Sequence, residues 1–264
     1  MLVDEDTDKA NVGAYLSTDF GATFTQLWHF TDLNNVPRIK NVLTSDIPRA
    51  HCYGREYYSD HTHYCYAECF YNNLTYIVDI NEGYSNTTLN QLAWSQDGST
   101  LVHAPYDVIA DASHLAYHRR GEDIRWWYRY FSTAASVLVV SDDGEKVLIG
   151  DSVGTLYFSD NAALVFDVYH NTVPETMRWT QMIADPSFYY VVGVSSSIDV
   201  SGSGSGNEQL WISDTNGQSW GRLSFIPSNS TIHKVIMSQS GEFFFVLFTS
   251  VEGGLSFYKA TPIE

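Results

Sequence analysis

The chain has 264 residues and a formal charge of -17, set by 14 Lys and Arg against 31 Asp and Glu. A field of that sign repels nucleic acid and anionic membrane surfaces, so neither is expected as a partner. The most apolar run, FFFVLF from Phe243 to Phe248, has the length of a strand and is far too short to insert in a membrane as a helix. Hydrophobic residues make up 44%, with 18 Tyr, 14 Phe and 7 Trp, which is enough to build a core.

The opening residues, MLVDEDTDKANVG, are acidic and polar and do not read as a signal peptide. Residues 12–30, VGAYLSTDFGATFTQLWHF, read as two outer strands around the turn STDFGATF. The stretch from Arg38 to residue 85 is a first unit of strands, with HCYGREYY, HYCYAECFY and LTYIVDI as its clearest members. It carries all three cysteines, Cys52, Cys65 and Cys69. A Cys52–Cys65 or Cys52–Cys69 disulfide would pin a hairpin in an oxidising compartment; otherwise these are buried thiols. His51, His61 and His63 stand nearby, but H-x-H and C-x3-C are looser than a zinc framework, and no metal is assigned.

Residues 88–130 form the next unit, with LNQLAWSQDGSTLVHAP, SHLAYHR and IRWWYRY. Its last segment interleaves Arg125 and Arg129 with Trp126 and Trp127, which reads as a packing seam or as a surface for protein or sugar. Residues 134–170 follow with ASVLVVSDDGEKVLIGD, GTLYFSD and LVFDVYH. Residues 177–227 hold ADPSFYYVVGV, EQLWISD and WGRLSFI, with SGSGSG (Ser201 to Gly206) as a surface loop inside the unit. Residues 231–260 supply three more strands, TIHKVIMSQSGEFFFVLFTS and its continuation. Sequons at Asn73, Asn86 and Asn229 mark glycosylation sites should the chain be secreted.

The units share a turn. Ser95-Gln-Asp-Gly98, Ser141-Asp-Asp-Gly144 and Ser238-Gln-Ser-Gly241 each end on a glycine that closes a tight hairpin. Weaker copies stand at Ser45-Asp46-Ile47-Pro48 and Ala184-Asp185-Pro186-Ser187, so the turns recur every 43 to 54 residues. A period of that length, with about four strands in each unit, is the signature of propeller blades. The expectation is one all-β domain over residues 1–264, a β-propeller of four-stranded antiparallel blades. Four blades are complete, at 38–85, 88–130, 134–170 and 177–227, and residues 12–30 complete the fifth, at 231–260. The alternative is a larger ring, of which this chain is a fragment or which a partner completes.

Two turns resemble the Asp-box, S-x-D-x-G-x-T-W, of the sialidase-like (BNR repeat) propellers. The first has Ser17, Asp19, Gly21 and Thr23, with Phe24 in place of Trp; the second has Ser213, Gly217, Ser219 and Trp220, with Thr215 where Asp belongs. Phe158-Ser159-Asp160-Asn161 is a decayed third. In that family the box is structural and lies away from the catalytic face, so the resemblance implies turn-clasping roles here. It also implies what catalysis would require: three arginines, a Tyr–Glu pair and an acid–base Asp. Arg38 sits in VPRIK, whereas Arg119, Arg120, Arg125 and Arg129 crowd into one unit, and no second or third arginine of the triad is assigned. The reading is therefore a non-catalytic member with no catalytic residue and no cofactor. Its role is binding or assembly, with a protein partner or self-assembly expected and a glycan as a second kind of partner. The alternatives are a sialidase-like glycoside hydrolase or lyase, and a lectin with one site per blade. The expected location is extracellular or at the cell surface, with the cytoplasm left open.

Overall fold

Short apolar runs broken by Gly, Asp and Ser fold here as strands and tight turns. The computed structural model describes residues 2–4, 13–16, 23, 25–29, 38–44, 51–59, 62–71, 74–79, 87–95, 97–107, 112–119, 125–131, 133–169, 177–197, 208–238 and 240–261. The first sheet holds β1 (Leu2–Asp4), β2 (Gly13–Leu16) and β3 (Thr25–His29). The second holds β4 (Arg38–Thr44), β5 (His51–Ser59), β6 (Thr62–Tyr71) and β7 (Leu74–Asp79). The third holds β8 (Thr87–Trp94), β9 (Thr100–Asp107), β10 (Ala112–Arg119) and β11 (Arg125–Phe131). The fourth holds β12 (Ala135–Val140), β13 (Val147–Asp151), β14 (Leu156–Ser159) and β15 (Asp167–Tyr169). The fifth holds β16 (Met177–Ala184), β17 (Val191–Ser197), β18 (Gln209–Ser213) and β19 (Gly221–Leu223). The last holds β20 (Thr231–Met237), β21 (Phe244–Ser250) and β22 (Gly254–Ala260).

Each sheet is an antiparallel meander, and the first strands β4, β8, β12, β16 and β20 lie side by side. The architecture is all-β and propeller-like: a succession of blade-like sheets. It differs from the expected five units at the N-terminus. The strands described there, β2 and β3, do not pair with the last sheet; they pair with β1 in a sheet of their own, with Leu2 opposite Tyr15 and Tyr15 opposite Gln26. Three residues of strand within an acidic stretch carry no readable alternation, so β1 left no mark in the sequence pattern.

The core sits in the seams between sheets. Val102, Leu115 and Tyr117 pack against Ala135, Val147 and Ile149 in one seam. Val137, Leu148, Leu156 and Phe158 meet Trp179, Phe188 and Val191 in the next. Val192, Val194 and Leu210 meet Ile232, Val235, Phe244 and Val246 in the third. Alternation explains this: successive residues of a strand point to opposite faces, and both faces here are covered by neighbours. Gly193 lets the Trp179 ring lie against the backbone, since a Cβ there would stand 2.4 Å from Cζ3.

Every first strand of the last five sheets is bulged at one place. Register shifts occur between Ile39 and Val42, Leu89 and Gln91, Ala135 and Val137, Trp179 and Gln181, and Ile232 and Lys234. The extra residue tightens the local twist, which suits a strand wedged beside its neighbours. Bulge side chains also tie back to the second strand. Ser136 Oγ donates to the Asp151 carbonyl at 2.9 Å, Thr180 Oγ1 donates to that of Val194 at 3.3 Å, and His233 Nε2 lies 2.7 Å from Thr249 Oγ1. Gln91 Nε2 donates to the Ser136 carbonyl at 2.6 Å and Gln181 Nε2 to that of Ile232 at 3.2 Å, linking one first strand to the next.

The repeated turns join first to second strands at one end of the sheets. In each, the fourth residue takes positive φ and donates its N–H to the first residue's carbonyl: Gly98, Gly144 and Gly241 to Ser95, Ser141 and Ser238. The copy expected at Ala184–Ser187 is displaced by one residue. It runs Asp185-Pro186-Ser187-Phe188, with Phe188 at φ 65 and its N–H on the Asp185 carbonyl at 2.8 Å. A left-handed residue with a side chain costs roughly 1–2 kcal/mol, and burial of a Phe offsets about as much or more. Phe188 is fully buried and stacks 6.2 Å from Phe158.

Candidate functional site

The turn side chains form closed hydrogen-bond circuits. Ser95 Oγ donates to Asp97 at 2.6 Å, and Asp97 accepts the Ser99 N–H at 2.8 Å. Ser141 Oγ donates to Asp143 at 2.6 Å and accepts the Lys146 N–H at 2.9 Å. The hydrogen bond from Ser141 holds the Asp143 carboxyl below its ordinary value, against the opposing effect of burial. Successive turns also touch. Tyr117 Oη donates to the Gly144 carbonyl at 3.0 Å, and Lys146 Nζ donates to that of Ser187 at 2.8 Å. These groups are occupied with one another, which fits a clasp.

The turn after the third strand follows the same logic. Ser213 Oγ accepts the Gly217 N–H at 2.9 Å, and Thr215 Oγ1 accepts that of Ser219 at 2.9 Å. Trp220 Nε1 donates to the Gly217 carbonyl at 2.9 Å, and its ring lies 4.5 Å from that of Trp179. Thr215 therefore fills the acceptor place of the missing Asp. One sheet earlier, Ser159 Oγ donates to Asn161 Oδ1 at 2.9 Å, and Asn161 accepts the Val165 N–H at 3.0 Å. Ala162 and Ala163 there adopt φ 55 and 60, matching Asn216 and Gly217 at 53 and 84. Ala163 stands where the motif has glycine and Phe166 where it has Trp. Phe166 is buried against the preceding sheet.

Of the other sequence-predicted residues, Thr23 is exposed, while Ser17, Asp19, Gly21, Phe24, Asn73, Asn86, Ser201 to Gly206 and the Ser45–Pro48 turn lie outside the described residues. Register sets Cys52 opposite Cys69 and Cys65 opposite Glu56. Trp126 and Trp127 lie opposite Ala116 and Leu115 on β11, a strand that also carries Arg125 and Arg129. Asn229 is exposed at φ 63. Arg119 pairs with Glu145. Among the described residues no group of three His, Cys, Asp or Glu side chains is placed to hold a metal ion, and no helix is long and apolar enough to cross a membrane.

The feature that sequence reading missed is the far face of the last sheet. Phe244, Val246 and Phe248 point into the seam with β17 and β18, so Phe245 and Leu247 point the other way. Register pairs Phe245 with Ile236 and Lys259, Leu247 with Lys234 and Phe257, and Thr249 with Leu255. These residues form one apolar face carrying two lysines. Its third-strand members are open, Leu255 at 69% and Phe257 at 62% exposure, while Leu156 and Leu210 on the third strands β14 and β18 are at 0% and 1%. Phe257 stacks on Phe245 at 5.0 Å, Phe245 meets Phe243 edge-on at 5.2 Å, and Lys259 lies 3.8 Å over the Phe243 ring. The aromatic ladder is thus continuous and in contact with solvent. In the sequence, GLSFYKA looks like any other strand.

The sequence matches no family model and no curated protein. Its fold is similar to solved structures that include a β-propeller domain. The β-propeller domain of the Trilobed protease from Pyrococcus furiosus, described as having an open velcro topology, is 11% identical, with a TM-score of 0.61 over 86% of this chain and 70% of that one. YCF48 from Cyanidioschyzon merolae is 15% identical, with a TM-score of 0.63 over 95% of this chain and 74% of that one. Prolyl oligopeptidase B from Galerina marginata is 11% identical, with a TM-score of 0.67 over 98% of this chain, which spans only 38% of that enzyme. At these identities the likeness is one of fold: a sheet-rich, propeller-like architecture that unrelated activities share.

Proposed function

We propose that this protein is a non-catalytic assembly propeller whose last sheet docks against a sheet of a second copy of the same chain. The observation that carries the reading is the open face of β21 and β22. Its counterparts in the two preceding sheets are buried against the next sheet, so the geometry that covers such a face is repeated within the molecule itself. Burying Leu255 and Phe257 would contribute roughly 1.5–3 kcal/mol each. Lys234 and Lys259 give that face a positive element, which an acidic stretch on the facing sheet of a second copy would meet.

The finer kinship we infer is with Asp-box propellers, supported by the shared hydrogen bonds at the two turns: the Asn161 and Thr215 N–H groups donate to Ser159 and Ser213 Oγ, and the Val165 and Ser219 N–H groups to the Asn161 and Thr215 side chains. The described residues form six sheets, the first and last with three strands each; on this reading the ring is completed between copies and not within one. An extracellular or cell-surface setting suits an assembly protein of this charge. Sedimentation of the wild type over a range of concentrations is the test. Concentration-dependent association, abolished in Leu255→Asp/Phe257→Asp with the thermal midpoint unchanged, is expected. A wild type that stays monomeric throughout, or a double variant that associates equally well, overturns the reading.

A further inference from the structure

The end of the fifth sheet away from the Ser/Asp turns carries a half-open cavity of about 310 Å³. Met177 at the start of β16, Ser197 at the end of β17, Gln209 at the start of β18 and Arg222 on β19 line it, with Glu208, Ser228 and Asn229. Its size falls at the lower end of small-molecule sites. Its walls offer one carboxylate, one guanidinium, two hydroxyls, two carboxamides and a single thioether.

The two charges are arranged unusually. Glu208 and Arg222 line the same space without forming an ion pair with each other. Glu208 Oε2 accepts the Ile232 N–H, and its other oxygen has no partner among the described residues. Arg222 is exposed and likewise has none. Burial pushes the Glu208 carboxyl up, against the opposing effects of the Ile232 N–H and His233, so a cation brought to it meets a partly desolvated anion. A simple anion would suit Arg222 but be repelled by Glu208, and a simple cation the reverse. A neutral sugar would leave both charges unmatched, and among the described residues no aromatic ring lines the space for it to stack on.

We propose that this cavity binds a free α-amino acid, its carboxylate on Arg222 and its ammonium on Glu208 Oε1. The Ser197 and Ser228 hydroxyls and the Gln209 and Asn229 amides complete the hydrogen bonding, and Met177 meets the ligand side chain. This site is independent of the docking face on the last sheet.

Thermal-shift and calorimetric titration of the full chain with each of the twenty free L-amino acids tests it, using their N-acetyl and amide derivatives and neutral hexoses as the contrasting arms. At least one amino acid should raise the melting temperature in proportion to its concentration. Its N-acetyl and amide forms, each lacking one charge, should not. Arg222→Gln should weaken binding roughly ten-fold or more by loss of a charge-assisted pair. Ser228→Trp, at an exposed turn position, should block the cavity with the ligand-free melting temperature unchanged. Absence of any response across the twenty, a hexose binding where amino acids do not, or undiminished binding by both variants overturns the proposal.

Discussion

The fifth and sixth sheets are built from the same parts and end in opposite states. Both have a bulged first strand, a Ser/Asp-type first turn and an apolar third strand. In the fifth, Leu210 of the third strand is sealed in a seam; in the sixth, Leu255 and Phe257 face solvent. The difference is a neighbour, not a sequence type. A blade's stability in this architecture is therefore lent by the sheet beside it, as expected of stacked repeats.

Four experiments would break or sharpen that contrast. Trp179→Ala removes a fully buried ring from the seam between the fourth and fifth sheets and should cost about 3–5 kcal/mol in chemical denaturation. Phe257→Ala, on the open face of the isolated chain, should stay within about 0.5 kcal/mol. Equal losses would mean that the last sheet is not open in solution.

The second concerns pH. His103 on β9 is fully buried, and burial, with the neighbouring His118, pushes its pKa down to about 3. Below pH 6.5 the unfolded chain takes up a proton that the folded chain refuses until about pH 3. Stability should thus fall by roughly 1.4 kcal/mol per pH unit through that window, about 2 kcal/mol by pH 5. The loss should shrink in His103→Phe. The last sheet contributes no such buried histidine among the described residues, so a slope that survives the substitution would move the acid-sensitive element elsewhere.

The third and fourth experiments use glycines. Gly193→Ala would drive a Cβ into the Trp179 ring and should cost roughly 1–3 kcal/mol. Gly254→Ala on β22 meets nothing within 4 Å and should be neutral to within about 0.5 kcal/mol. Gly217→Ala should fall between the two, where φ 84 and the nearby Leu148 side chain make it cost about 1 kcal/mol, again by denaturation.

Much of this was legible. Ser141-Asp-Asp-Gly144 announces its turn because only a few residue types close a hairpin at positive φ, and their recurrence at blade spacing showed the repeat. The copy at Asp185 was misplaced by one residue because Phe188 holds the left-handed position, a conformation its type conceals. The turn at Ser159 looked decayed for the same reason: Ala163 stands in for glycine, and a seam of buried side chains offsets the strain. The bulges at Ser136, Thr180 and His233 share no residue type, because a bulge is set by how a strand must twist beside its neighbour.

Residue order alone determined the strands, their turns and the repeat, since alternation and turn chemistry act over a few neighbouring positions. Only the tertiary structure decided which apolar faces find a cover, that β2 and β3 join β1 in a separate sheet, and that Glu208 and Arg222 line one cavity. Those outcomes depend on contacts between residues far apart in the chain, where local pattern carries no information.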